Sequence, residues 1–301
     1  MSSEPDWDLY RSFAAVLSEG SLSAAARMLG MTQPSLSRHI DTLEQAMGGK
    51  LFLRSQRGLS PTDRALALKP HVDTMLAASA ALMRTASGAE GEIAGTVRIT
   101  APEVIGIEHL PPILARLRRT HPDLAIELAL SNEVDDLLQR RADIAVRMVA
   151  PVQQALVARR VGSVTLGLHA REDYLARRGT PDDLAALAGH DLIGMDVETP
   201  AVREVLRQLP GLTRRSFAFR TDSDVAQLAA IRAGLGIGVC QVELARRSAG
   251  LVRVLPDRFG MELPMWVVMH EDLRTTARHR AVFDGLADGL GRIGTRSDMA
   301  S

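Results

Sequence analysis

The chain has a single cysteine, Cys240, in 301 residues. An internal disulfide needs two and a thiolate metal cluster needs more, so both are excluded. Beside Val239, this cysteine reads as a small buried residue rather than a nucleophile. No apolar run is long enough to span a bilayer, so no membrane partner is expected. The start, MSSEPDWDLYRSF, has no basic region followed by an apolar one. It does not read as a signal peptide, and a cytoplasmic location is expected. Catalytic signatures are missing too. The eight histidines are scattered, with no HExxH pair, and there is no GxSxG elbow or P-loop. The run GLGIG (234–238) follows a helical pattern and enters a strand. That is the reverse of a dinucleotide-binding fingerprint, and it reads as a turn. The expectation is no enzyme, no metal and no cofactor.

What is present is ordinary globular material, 46% hydrophobic and 24% charged, with length for roughly two to three domains. Net charge is zero, but its distribution is uneven. Arg27, Arg38, Lys50, Arg54, Arg57 and Arg64 stand against only Asp41, Glu44 and Asp63 in the same stretch. A locally basic segment in a neutral protein suggests that one small part meets a polyanion.

That segment has its own pattern. Leu9, Phe13, Val16 and Leu17 repeat at helical spacing over 6–18. Ser21 or Ser23 suits the N-cap of a second, alanine-rich helix that Gly30 ends. Thr32 suits the cap of a third, about 33–47, with Pro34 in its first turn. Leu36, Ile40, Leu43 and Met47 share one face of it. The opposite face carries Pro34, Ser35, Arg38, Asp41 and Thr42. Small residues allow close approach, hydroxyls suit phosphates, and an arginine can bond a guanine edge bidentately. An isolated helix with this face would be read as merely solvated. Here it stands in a helix-turn-helix pattern, and KLFLRSQRGLSPT after Gly48-Gly49 reads as a basic hairpin, the wing of a winged helix.

The string FAAV, GSLSAAARMLGMTQPSLSRHIDTLE, LFLR and RGLSPT resembles the DNA-binding domain of the LysR-type transcriptional regulators. The resemblance implies that Gln33, Pro34, Ser35, Ser37 and Arg38 face DNA and that Arg54 lies in the wing. Ser23, Thr32, Thr42 and Arg57 complete the candidate DNA-facing set. Asp63-Arg64-Ala65 follows Thr62 where family members commonly have a Glu-Ala-Gly type ending. The alanine- and leucine-rich stretch from Asp63 to about Ser87 reads as a long helix, with Pro70 expected to kink it. By resemblance this helix makes a homodimer, with a homotetramer beyond it. A two-fold dimer places two recognition helices about 34 Å apart on an inverted repeat of double-stranded DNA. RNA polymerase is a further expected partner.

From Gly95 the pattern changes to short strands alternating with helices: TVRITAP, EHLPPILARLRRTHP, LAIELAL, NEVDDLLQRRA, DIAVRMV. This βαβαβ run predicts a mostly parallel α/β sheet. A second set follows at 164–170, 190–196, 217–223 and 237–241, then strand 263–270 and a helix over 276–290. Two such lobes resemble the periplasmic-binding-protein-like effector domain of the same family. The expected fold is therefore α/β with an N-terminal all-α winged helix-turn-helix. The expected divisions are 1–62 for DNA binding, 63–90 for the linker helix and 91–301 for the effector domain. The latter divides into lobes of about 95–162 plus 268–292, and 163–267.

In such sheets ligands bind beyond the C-terminal ends of strands, where helix N-termini suit a carboxylate. Three strand ends qualify: Thr100-Ala101-Pro102, Ser131-Asn132 and Thr221-Asp222-Ser223. Arg147 would add a charge-assisted bond and Thr199 would close from the second lobe. Singly, such residues are as readily helix caps. As a set they suggest a small, anionic effector, although Asp222 would repel it. The family favours Thr100, Ser131 and Asn132. A solute-binding module without a regulatory role is the alternative, and the N-terminal block argues against it.

Overall fold

The structure, a computed structural model, describes residues 4–55, 58–86, 91–132, 141–151 and 155–298, with backbone alone at 54–55 and 294–298. It forms two compact units, one running to Ala86 and including Arg141, the other comprising the remaining described residues from 91 onward.

In the first unit α1 (Trp7–Glu19), α2 (Leu22–Leu29) and α3 (Gln33–Met47) are each ended by a left-handed glycine: Gly20, Gly30 and Gly48. A side chain on any of these would pay for that backbone conformation. The strands β1 (Phe52–Ser55) and β2 (Gly58–Pro61) pair antiparallel, and α4 (Asp63–Ala86) follows. Phe13, Val16, Ala25, Leu36, Leu43, Leu51 and Ala65 meet in one core. The first half of α4 joins it through Leu68, Val72 and Leu76. Helix runs from Asp63 to Ala86 with Pro70, the residue expected to kink it, inside its first half.

The second unit is built on one sheet of nine strands among the described residues. In chain order they are β3 (Gly95–Ala101), β4 (Leu124–Leu130), β5 (Ile144–Arg147), β6 (Leu156–Arg171), β7 (Leu192–Gly194), β8 (Phe217–Arg220), β9 (Ile237–Gln241), β10 (Leu251–Val254) and β11 (Met261–His270). Helices α5 (Leu110–Thr120), α6 (Glu172–Arg178), α7 (Pro200–Arg207), α8 (Asp224–Arg232), α9 (Val242–Arg246) and α10 (Ala277–Asp298) connect or cover them. The helix expected over NEVDDLLQRRA falls largely on 133–140, outside the described residues.

The sheet order is β4-β3-β5-β11-β6-β9-β7-β8, with β10 beside β6. It is mixed rather than mostly parallel. β3 pairs parallel with β4 and β5, and β7 parallel with β8 and β9, as short crossovers require. The long strands β6 and β11 run antiparallel to each other and to their neighbours. They carry the chain out of one lobe and back into it, so their directions oppose. Two main core regions result. One gathers Ile99, Leu110, Ile144, Met265, Val282 and Leu286, under α5 and α10. The other gathers Leu168, Tyr174, Leu192, Ile237 and Phe259, with Ile193, Leu228 and Ile231 adjoining. Between them the β6–β11 ladder breaks register at Pro264/Trp266, next to Gly162 at φ 113°.

The glycines of GLGIG are there for packing. Gly234 is left-handed after α8. A Cβ on Gly236 would lie 2.0 Å from the Asp191 carbonyl oxygen, and one on Gly238 2.8 Å from Ile231. The run is an α-to-β turn pressed against β7, as its order in the sequence implied.

Candidate functional site

The exposed face of α3 is prepared from its first turn. Thr32 caps the helix, accepting from the Ser35 backbone N–H at 3.3 Å, and the two hydroxyls are 2.8 Å apart. The Ser23 hydroxyl donates to Gln33 Oε1 at 2.9 Å, so α2 orients the first side chain of α3. Ser21, not Ser23, is the residue preceding α2, and its side chain makes no capping bond. Gln33, Pro34, Arg38, Asp41 and Thr42 are exposed, while Ser35 and Ser37 are half-buried. Thr42 donates to the Arg38 carbonyl at 2.8 Å, so its hydroxyl is satisfied within the helix. The Arg38 guanidinium has no hydrogen bond or ion pair among the described residues. Arg54 has its backbone in β1, its side chain lies outside the described residues, and so does Arg57 entirely. A groove of about 460 Å³ between α1, α2 and α4 draws no lining residue from α3.

Glu44, on α3, is buried and accepts from the backbone N–H of Leu51 at 2.8 Å and Phe52 at 3.2 Å, and from Lys50 Nζ at 2.5 Å. Burial pushes its carboxyl up, but these partners outweigh burial and hold it below the usual carboxylate range. It thereby fixes the root of the β1–β2 hairpin to α3. The Leu59 N–H donates to the Gly20 carbonyl at 3.0 Å, pinning the second wing strand to the α1–α2 turn. Thr62 closes the wing: its hydroxyl donates to the carbonyls of Lys50 and Leu51 and accepts from Ala65 N–H at the start of α4.

In the second unit, the expected residues divide. Thr100, near the end of β3, and Arg147, ending β5, are both buried, with Arg147 Nη2 3.5 Å from Thr100 Oγ1. Arg147 also donates to the Val146 carbonyl at 2.8 Å. The Ser131 N–H donates to the Ala101 carbonyl, carrying the β3–β4 ladder one residue further. The Ala101 side chain lies in the core and gives no surface to a ligand, and Pro102 is half-buried. Asn132 bonds Asp224, whose carboxyl is raised by burial and by the nearby Glu103 charge, with Asn132 opposing.

Ser223 caps α8, accepting from Ala226 N–H, and donates its hydroxyl to Glu103 Oε2 at 2.7 Å. Thr221 Oγ1 accepts from the Ser223 N–H. Asp222 accepts from the N–H groups of Asp196 and Val197, which explains a carboxylate there without a ligand. Thr199 is an exposed cap of α7, with no contact to the other candidates among its hydrogen bonds. The N-terminus of α8 was one expected seat for an effector anion. Glu103 already places a carboxylate there.

Residues 90–291 match the family described as "LysR substrate binding domain". Residues 7–66 match "Bacterial regulatory helix-turn-helix protein, lysR family". The chain belongs to the LysR family of transcriptional regulators. It is 27% identical over 285 residues to the probable regulator LtrA of Klebsiella pneumoniae, covering 92% of each. Among solved structures it resembles the LysR-type regulator CrgA of Neisseria meningitidis, at TM-score 0.60 and 25% identity, over 96% of this chain and 100% of that one. CbnR bound to its target DNA shares the fold at TM-score 0.66 and 17% identity, over 95% and 99%.

This LysR-type regulator also uses residues that pattern reading passed over. Glu44 was counted only as an acid, although its place next to Leu43 on the buried face, six residues before Lys50, carries the signal. Glu103, Glu108 and His109 gave no signal, because their partners lie 120 or more residues away. Cys240 is buried and its thiol is pushed up to about 12 by burial, so it stays protonated and unreactive. No helix among the described residues is long and apolar enough to cross a membrane.

Proposed function

We propose that this LysR-family chain is a cytoplasmic regulator without catalytic activity that reads an inverted DNA repeat under small-molecule control. Residues 1–62 bind DNA, 63–90 dimerise, and 91–301 take the effector between lobes 95–162 plus 268–292 and 163–267. The observation that carries this reading is Arg38, an unengaged guanidinium on the exposed face of a rigidly capped helix. Gln33, Pro34, Ser35 and Ser37 flank it for close approach, Ser23, Thr32 and Thr42 frame the same surface, and Arg54 and Arg57 serve phosphates from the wing.

Met75 and Leu82, seven residues apart on α4, are exposed, as are Leu66 and Met83. An apolar stripe of this kind supports pairing with a second copy, with a tetramer and RNA polymerase contact beyond it. In the effector unit, Arg147 and Thr100 hold an anionic group, with Ser131, Asn132, Pro102, Thr221 and Ser223 around it. Ala101 contributes backbone alone, and Thr199 acts through the loop it caps.

The test is selection from a random duplex library with the full chain, followed by Thr100→Ala. The expected consensus is an inverted repeat with half-sites about one turn, ~34 Å, apart. Thr100→Ala is expected to keep that consensus while losing the response to any metabolite that alters wild-type binding. Recovery of no consensus at moderate salt refutes the DNA reading. A normal response in the variant removes Thr100 from the site.

A further inference from the structure

One short segment of the effector unit reaches across between its lobes. Glu103 to His109 leaves the end of β3 and includes a π-helical turn, Ile105–His109. Such turns are rare and are found at functional sites. Its neighbours Val104 and Ile105 pack into different cores. Val104 lies against the cluster of Ile193, Leu228 and Ile231, and Ile105 lies in the cluster of Ile99, Leu110 and Ile144.

Three polar contacts follow the same division. The Glu103 carboxylate takes the Ser223 hydroxyl at 2.7 Å and the Val225 N–H at 3.4 Å, at the start of α8. Glu108 pairs with Arg232, the last residue of α8, at 2.6 Å. His109 Nε2 meets Gln241 Oε1 at 2.8 Å, with both side chains buried at the end of β9. The segment therefore grips α8 at both ends and the strand that follows it. Gly106 lies beneath Leu130: a Cβ there would come 2.3 Å from Leu130 Cδ2, and the exposed Leu130 side chain would have to move aside.

The lobes are also connected covalently. β6 and β11 join the two lobes, and their ladder breaks register beside Gly162. We propose that Glu103–His109 is a latch that holds the second lobe closed on the first through α8, and that effector control works by engaging or releasing it. The second half rests on the effector-controlled reading above; the first does not.

The test uses the full chain and four proteins: wild type, Glu108→Arg, Arg232→Glu and the double exchange. Amide hydrogen exchange is read on 103–109, α8 and β3. Each single variant is expected to speed exchange of 103–109 and α8 at least tenfold, with β3 unchanged. The double exchange restores the salt bridge with reversed polarity and should return within threefold of wild type. Unchanged exchange in the singles, or a double no better than either single, overturns the latch. Should a reversal misfold, Glu108→Gln and Arg232→Met replace the single reversals: faster exchange of 103–109 and α8 supports the latch, and unchanged exchange in both overturns it. DNase footprints of the same proteins then test the control half. A footprint whose length changes in the singles and returns in the double supports it. Identical footprints, with exchange loosened, overturn the control half alone.

Discussion

Replacing Glu44 should detach the wing from the recognition helix. Glu44→Ala removes a buried carboxylate that accepts from two backbone N–H groups and Lys50. The Lys50 side chain is largely exposed, so its share is at most about 1 kcal/mol. The Leu51 and Phe52 amides lose their acceptor in a buried setting, at about 1–3 kcal/mol each. These ranges add to about 2–7 kcal/mol, and about 3 kcal/mol is expected because the Phe52 bond is long at 3.2 Å. Glu44→Gln keeps an acceptor oxygen but loses the charge, and should cost about half as much.

The chain offers a convenient probe, because Trp7 lies in the first unit and Trp266 in the second. In a Trp266→Phe background, urea unfolding followed by Trp7 fluorescence reports the DNA-binding unit. With a slope of about 1 kcal/mol/M, the midpoint should fall by roughly 3 M for Glu44→Ala. The pH dependence has a fixed sign. The folded carboxyl sits below its unfolded value of about 4.3, so the stabilisation is full above that pH and is lost as pH falls through the folded value. A midpoint within about 0.5 M of the parent, or equal shifts for alanine and glutamine, would refute the anchoring role.

Two further outcomes follow from the second unit. Gly236→Ala forces a Cβ to 2.0 Å from the Asp191 carbonyl, so β7 or β9 must shift. A loss of about 2 kcal/mol or more is expected in unfolding followed by Trp266, and a silent substitution would contradict the packing account. His169 is buried on β6 and held at about 4, by burial first and then by the Arg253 charge, with the Gly167 carbonyl opposing. The unfolded chain, at about 6.5, binds the proton more readily, so stability should fall by up to about 3 kcal/mol as pH drops from 6.5 toward 4. His169→Gln should flatten that slope, and an unchanged slope would assign it to other groups.

The sequence made local features legible where the physics is local. Capping by Thr32, the end of α2 at Gly30, the buried stripe of α3 and the turn of GLGIG all depend on neighbours within a few residues. The strands at β3, β4, β5 and β9 were readable for the same reason. What could not be read is set by distance along the chain. The antiparallel course of β6 and β11 depends on how the chain shuttles between lobes, which no window of residues contains. Asp222 looked like an obstacle to an anion until its partners, Asp196 N–H and Val197 N–H, were known. Glu103 looked like an ordinary acid after a strand, and only its partner 120 residues later gives it a place.

The most direct test of the account is DNase footprinting of the purified chain on DNA flanking its own gene, with wild type and Arg38→Ala side by side. The prediction is an extended protected region that the variant loses or holds about 1–3 kcal/mol more weakly, with relaxed preference at one base pair in each half-site. Equal protection by both proteins would contradict base reading by α3, and protection by neither at moderate salt would contradict an operator at that locus.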